Sequence, residues 1–135
     1  MSVGGVMASA RTVRAVPTAD APITVSRLGA PLLRARDART FASRLRGLHA
    51  TPPLGPTDAL IIRPCRAIQT YRMPYAIDVA FLDRRGTVLR VENVPPGRVR
   101  VCVGARVALE MASGTAARLS LAPGHVLSPS NGSWA

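Results

Sequence analysis

The stretch Ala76-Ile77-Asp78-Val79-Ala80-Phe81-Leu82-Asp83-Arg84-Arg85-Gly86-Thr87-Val88-Leu89-Arg90-Val91-Glu92-Asn93 decides the fold class. Two runs rich in β-branched and aliphatic residues flank the tetrad Asp83 to Gly86. An aspartate opens a turn well because its carboxylate accepts hydrogen bonds from the backbone just ahead of it. A glycine closing that turn takes a positive φ without a Cβ clash. The segment reads as a β-hairpin. With Gly86 in the left-handed place, Asp83 pairs with Thr87, and the register runs Phe81 with Leu89, Val79 with Val91 and Ile77 with Asn93. That register builds one coherent apolar face, which is what normally pins strand pairing. The opposite face then carries Leu82 with Val88, Ala80 with Arg90, and Asp78 with Glu92. Two carboxylates directly across a ladder repel each other, so solvent, an arginine such as Arg90, a raised pKa or a bound cation has to relieve the pair.

Working outward, Pro95-Pro96-Gly97 marks the next turn, and Arg98 to Val103 alternates cleanly. Val99, Val101 and Val103 thereby share a face opposite Arg98, Arg100 and Cys102. Arg106 to Met111 reads as a further strand, residues 114–121 as a short helical turn, and Val126-Leu127 as a last strand after Pro123-Gly124. Upstream, the apolar run Ala59 to Ile62 ends at Pro64 and is followed by Arg66 to Thr70. Ile23 to Leu28 and Pro31 to Ala35 flank Gly29 as a hairpin. Asp37 stands as an N-cap before Phe41, Leu45 and Leu48, whose spacing predicts a helix over 38–48, ended by Pro52-Pro53. The expectation is one small antiparallel β-sandwich or barrel of about seven to eight short strands, with one or two short helices.

A length of 135 residues suits a single domain. We expect it to span 23–128, with loose tails at 1–22, where Pro17 and Pro22 interrupt an aperiodic stretch, and at 129–135. At 47% hydrophobic but 4% aromatic, aliphatic side chains must fill the core. No apolar run approaches the ~18 residues of a membrane span. No basic segment precedes an apolar one at the start, so a soluble, cytoplasmic protein is expected. The formal charge is +11, and all 18 basic residues are arginine. Together with abundant Ala, Pro and Gly, that choice is what a GC-rich genome writes, so part of the basicity is compositional. A strongly basic domain still attracts nucleic acid and other anions nonspecifically. Cys65 and Cys102 form no C-x-x-C, so two free thiols are expected and no zinc or redox site.

Four segments, read together, resemble the bacterial and archaeal family called domain of unknown function 192. They are Thr40-Phe41 through Arg44-Leu45-Arg46-Gly47-Leu48; Leu60 through Ile68 to Met73; Ile77 to Asp83 with Gly86 and Val88; and Leu109-Glu110 with Gly114, Leu119 and Pro123-Gly124. The resemblance covers about residues 23–128. It implies a compact β-barrel or sandwich with short helices and no established activity. Some members carry export signals, and none is read here. The family commonly has His or an aromatic residue before the Thr of the second segment, where this chain has Gln69. An acidic residue often follows the late Gly, where this chain has His125.

No catalytic signature is present: there is no G-x-S-x-G, P-loop, H-E-x-x-H or Rossmann glycine pattern. His49 and His125 lie in loops, too few for a triad or a histidine metal site, and no cofactor or metal is expected. The candidate polar site is Asp78, with Arg72, Met73 and Gln69 in the preceding segment and Glu92 and Glu110 on neighbouring strands. The plain structural reading makes Asp78 a cap for backbone N–H groups or an arginine partner, Met73 core packing and Glu110 an ion-pair partner. Three functions compete: a non-catalytic binding or accessory module taking a small ligand or partner protein in a β-barrel cleft; a hydrolase-type enzyme with paired carboxylates; and a nucleic-acid binder that uses the arginines. The second requires two carboxylates about 5–9.5 Å apart across one pocket. The third requires arginines clustered on one face, including the Arg98 and Arg100 stripe, and binding that falls steeply with salt.

Overall fold

A computed structural model describes residues 22–38, 54–71 and 73–134. Most of the expected N-terminal tail, the expected helix beyond Ala38 and the candidate Arg72 lie outside these residues. The described residues form β1 (Ile23–Arg27), β2 (Ala30–Asp37), β3 (Asp58–Ile62), β4 (Ala67–Gln69), β5 (Ile77–Leu82), β6 (Val88–Val94), β7 (Val99–Val101), β8 (Val107–Ala112), the short helix α1 (Thr115–Arg118) and β9 (Ser128–Pro129). Seven strands make one sheet in the order β6-β5-β8-β3-β2-β1-β9, and β4 pairs with β7 in a second, two-stranded sheet. The protein is mainly β, as expected. Its pairings are antiparallel except that of β2 with β3, which is parallel. A parallel pair needs a crossover, and the chain between Asp37 and Asp58 supplies it. No helix among the described residues is long and apolar enough to cross a membrane.

The large sheet curls because one segment ties both of its edges. Gly124 donates to the Val88 carbonyl at 2.8 Å, Leu127 to the Gly86 carbonyl at 2.9 Å, and Thr87 bridges Val126. Immediately after, β9 pairs with β1 at the far edge. The concave face closes over Val25, Leu33, Ile61, Leu82, Leu109, Met111 and Leu127. On the other face, β4 and the loop after β7 pack Ile68 and Cys102 against Val79, Phe81 and Ala108. All six residues of β5 are therefore buried, which explains its unbroken apolar text. Cys65 and Cys102 are free thiols within this second cluster.

Two expectations are corrected. The β5–β6 register holds at Leu82 with Val88, but Leu89 bulges, so Phe81 faces Arg90, Val79 faces Glu92 and Asp78 faces Asn93. The bulge sends Val91 to the concave core and Arg90 and Glu92 to the other face, and the Asp78–Glu92 repulsion never arises. On β7 the alternation is as read, but Val99, Val101 and Val103 point outward, 46%, 56% and 90% exposed. Arg100 turns inward because its guanidinium pairs with Glu92 at 3.0 Å.

Near the end of the chain, in the segment read as a tail, Trp134 is 5% exposed and its indole N–H donates to the Leu127 carbonyl at 2.8 Å. A single indole with little polar surface around it gives no periodicity to read, so the sequence signal is absent. Gly86, at φ +88, makes room for it, since a Cβ there would lie 2.2 Å from the Leu127 carbonyl and 2.4 Å from Trp134 Nε1.

Candidate functional site

The structure disperses the polar residues proposed from sequence. Asp78, 5% exposed, accepts hydrogen bonds from the backbone N–H groups of Gly114 and Ala116 and from the Asn93 amide, each at 2.9 Å. Its carboxylate fixes the start of α1. Glu110 lies on β8 opposite Val79, on the face away from Asp78, so these two carboxylates form no pair. Glu92 does share the face of Glu110, across Val79, and contacts Arg90 at 3.3 Å and Arg100 at 3.0 Å. Arg90 also donates to the Val101 carbonyl and sits 5.6 Å from the Phe81 ring centre, tying β7 to β6. Among the described residues the Glu110 carboxyl makes no hydrogen bond or ion pair, and burial pushes it up to about 7. Met73 packs against the second cluster, and exposed Gln69 only accepts from the Tyr71 N–H at 2.8 Å. Asp78 is thus a structural cap, and Gln69 and Met73 are local.

A different group of side chains converges at one end of the large sheet. β3 and β5 finish there while β6 and β8 begin, because Ile62 pairs with Ala108 and Leu82 with both Val88 and Val107. The loops 63–66, 83–87 and 102–106 therefore meet. Arg106 is their junction: its N–H donates to the Leu82 carbonyl at 2.8 Å and its carbonyl accepts from Cys65 at 3.0 Å. Cys102 donates to the Arg66 carbonyl at 2.8 Å, fixing the third loop.

Two open hollows adjoin here. One, of about 440 Å³, is lined by Pro64, Cys65, Arg66, Ala105 and Arg106. The other, of about 410 Å³, is lined by Asp83, Arg84, Arg85, Gly104 and Arg106. Among the described residues, the side chains of Arg66, Arg84, Arg85 and Arg106 make no hydrogen bond or ion pair. Asp83 also lines the second hollow and offsets part of their charge, and its Oδ1 accepts from the Arg85 and Thr87 N–H groups at 2.8 and 3.0 Å. The Cys65 thiol donates to the Ala67 carbonyl at 3.1 Å, and burial raises its pKa. Arg63, just behind, differs from its neighbours: it is buried, bonds Asp37 at 2.8 Å and donates to the Ser133 carbonyl at 3.0 Å. Exposed guanidiniums that outnumber the one acid lining these hollows create a local positive potential and present forked donors suited to oxyanions. Sequence reading missed this group because the arginines sit in three separate turns. Only the strand order brings the turns together.

Residues 24–129 match the family domain of unknown function 192, described as Uncharacterized ACR. The chain belongs to this family. The domain of unknown function 192 fold is shared with two solved structures. A protein of unknown function from Novosphingobium aromaticivorans DSM 12444 is 25% identical, covers 78% of this chain and 82% of its own, and superposes with a TM-score of 0.63. A protein of Sinorhizobium meliloti 1021, described as a candidate transcription regulator, is 18% identical, covers 80% of this chain and 92% of its own, and gives 0.64. At that identity it shows the fold alone. No curated protein matches in sequence. Of the two positions read from sequence as departures from the family pattern, Gln69 ends β4 and His125 lies in a turn. Gln69 bonds Tyr71, and His125 Nδ1 accepts from the Ala122 N–H at 3.3 Å.

Proposed function

We propose that the protein is a non-catalytic binding module that takes a small anionic ligand at its arginine-lined end. One observation carries this reading: Arg66, Arg84, Arg85 and Arg106, whose side chains make no hydrogen bond or ion pair among the described residues, border two adjoining hollows in which Asp83 is the one acid. The loops that hold them are fixed to one another by backbone hydrogen bonds through Arg106, Leu82 and Cys65. Rigid support of this kind is what lets a site hold its donors in place without a large ordering cost on binding. Turn-bounded hollows also suit a small anion better than the continuous stripe that tracks a nucleic-acid backbone.

The test is calorimetric titration with inorganic phosphate and pyrophosphate at low ionic strength. Wild-type protein is expected to bind, and Arg106→Ala, whose lost side chain holds nothing else together, to lose most of that binding while melting like wild type. Equal binding by the variant, or no binding by wild type, defeats the reading.

A second reading, hydrolysis by paired carboxylates, draws on Glu92 and Glu110 alone. One is ion-paired, the other is pushed up to about 7, and both face the same side across Val79. Carboxyl groups in contrasting environments are how such enzymes divide acid and base roles. Against it, β4 and the loop after β7 pack over that face.

A further inference from the structure

We infer that the outward face of the small sheet, β4 with β7, docks on an anionic lipid surface. Small-anion binding in the hollows is not required for this. Of the six large hydrophobic residues that are exposed among the described ones, four fall here: Tyr71 at 64%, Val99 at 46%, Val101 at 56% and Val103 at 90%. Alternation explains the clustering. Ile68 and Thr70 are buried, so exposed Ala67 and Gln69 stand outward, opposite Val101 and Val99, and exposed Tyr71 continues the same parity. On β7 the inward place is taken by Arg100, held by Glu92. Exposed apolar side chains gathered on one face mark a surface that something else covers.

Charge decides what covers it. Residues 64–77 and 94–109, which contain both strands and their flanking loops, hold five arginines and no aspartate or glutamate. Arg98 precedes Val99, Arg66 precedes Ala67 and Arg106 closes the loop after Val103, and all three are exposed. Glu92, the acid that reaches β7, is already shared by Arg90 and Arg100. An apolar centre with guanidiniums at its rim suits the boundary of a bilayer, where valines enter the acyl region and forked donors meet lipid phosphates. A second copy of this chain, itself at +11, would set arginine against arginine. Nucleic acid would use the arginines but leave the valines in water, since bases stack on aromatic rings and Tyr71 is the one ring exposed here. A protein partner seats its anchors in pockets, and neither hollow is lined by Tyr71, Val99, Val101 or Val103. A bilayer needs no pocket, only apolar side chains standing on one side.

The experiment is cosedimentation of the full chain with phosphatidylcholine vesicles and with vesicles of equal parts phosphatidylcholine and phosphatidylglycerol. Wild type is compared with the double variants Val101→Ser/Val103→Ser and Val101→Leu/Val103→Leu. Both positions are exposed, so both variants are expected to melt like wild type. Wild type is expected to bind the mixed vesicles about tenfold or more tighter than phosphatidylcholine alone. The serine variant, its charge unchanged, is expected to bind mixed vesicles about tenfold more weakly, and the leucine variant to bind them more tightly than wild type. A chain at +11 is drawn to any anionic surface, so the serine and leucine variants are what separate docking from plain attraction. If the serine variant binds mixed vesicles like wild type, charge alone is at work and the lipid assignment fails, leaving the face to an acidic protein. Should the serine pair unfold the small sheet, the leucine variant decides, and no gain in its binding overturns the inference. Wild type that binds mixed vesicles no better than phosphatidylcholine overturns it as well.

Discussion

Asp78 and Asp83 are both aspartates beside a turn, yet they do unequal work. Asp78 is buried and satisfies two backbone N–H groups and an amide, so Asp78→Ala strands the buried Ala116 N–H and removes the acceptor of the Gly114 N–H and the Asn93 amide. We expect a loss of about 2–4 kcal/mol. Asp83→Ala, on a half-exposed turn, is expected to cost about 1 kcal/mol or less. Urea denaturation of the two variants side by side decides this, and equal midpoints would show that α1 holds without its carboxylate. Glu110 makes the reverse prediction. Its folded pKa, about 7, lies above the ordinary 4.5 of an exposed glutamate, so the folded state holds the proton more tightly than the unfolded state does. Stability is then unaffected by this group below the unfolded pKa, falls as pH rises from 4.5 to about 7, and stays lowered above. Glu110→Gln is expected to be more stable than wild type by about 1–3 kcal/mol near pH 8 and indistinguishable near pH 4. The same gain at both pH values would show a solvated carboxyl. The sequence made Asp78 legible as a residue needing partners, but not which ones, since a one-residue bulge changes its neighbour from Glu92 to Asn93.

At the scale of elements, β4 and β7 stand apart. Each has three residues and pairs only with the other, whereas β5 is paired on both sides along its length. What attaches the small sheet is the Arg100–Glu92 pair, the Arg90 contact with Val101, and a few side chains in the second cluster. Amides of β4 and β7 are therefore expected to exchange with deuterium well before those of β5, in a local opening rather than a global one. Glu92→Ala is expected to speed exchange in β7 selectively, and a uniform increase across all strands would show that the small sheet has no separate opening. The hairpin turns at Gly29 and Gly86 were readable because positive φ has a residue signature, and both are observed, at +82 and +88. The bulge at Leu89 was not readable, because an extra residue in a strand leaves no mark in composition. The inward face of β7 was hidden for another reason. A charged partner, Glu92, drew arginine in and left valine out, against the usual rule that apolar residues point to the core.

For the whole molecule, we propose that the folding unit extends beyond residue 128, because Trp134 is buried. Trp134→Ala removes an indole from the core and unseats the turn at Gly86, and it is expected to cost about 3–5 kcal/mol. For a domain of this size that lowers the melting temperature by well over about 10 °C. A smaller loss in a thermal scan would mean that the indole merely lies on the surface. At the other end, we propose that Ile23 opens the unit. A chain starting there is expected to keep its melting temperature within a few degrees, and a larger drop would assign the first residues a part in the core. Strand number and class were legible from alternation and turns. The arginine-lined end was not, since it exists only after β3, β5, β6 and β8 have been ordered in one sheet.

The segment that ties both edges of the sheet also governs how the protein can be made. A ribosome releases the amino end first, so β1 and β2 emerge as a hairpin whose outer edge is claimed only by β9, about 100 residues later. At about 5–20 residues per second, that interval lasts on the order of 5–20 s. Throughout it the nascent chain displays unpaired strand edges, the state most open to wrong partners. Translation speed and the nascent chain's access to chaperones, rather than the thermodynamics of the finished fold, then set the yield of this protein in a cell.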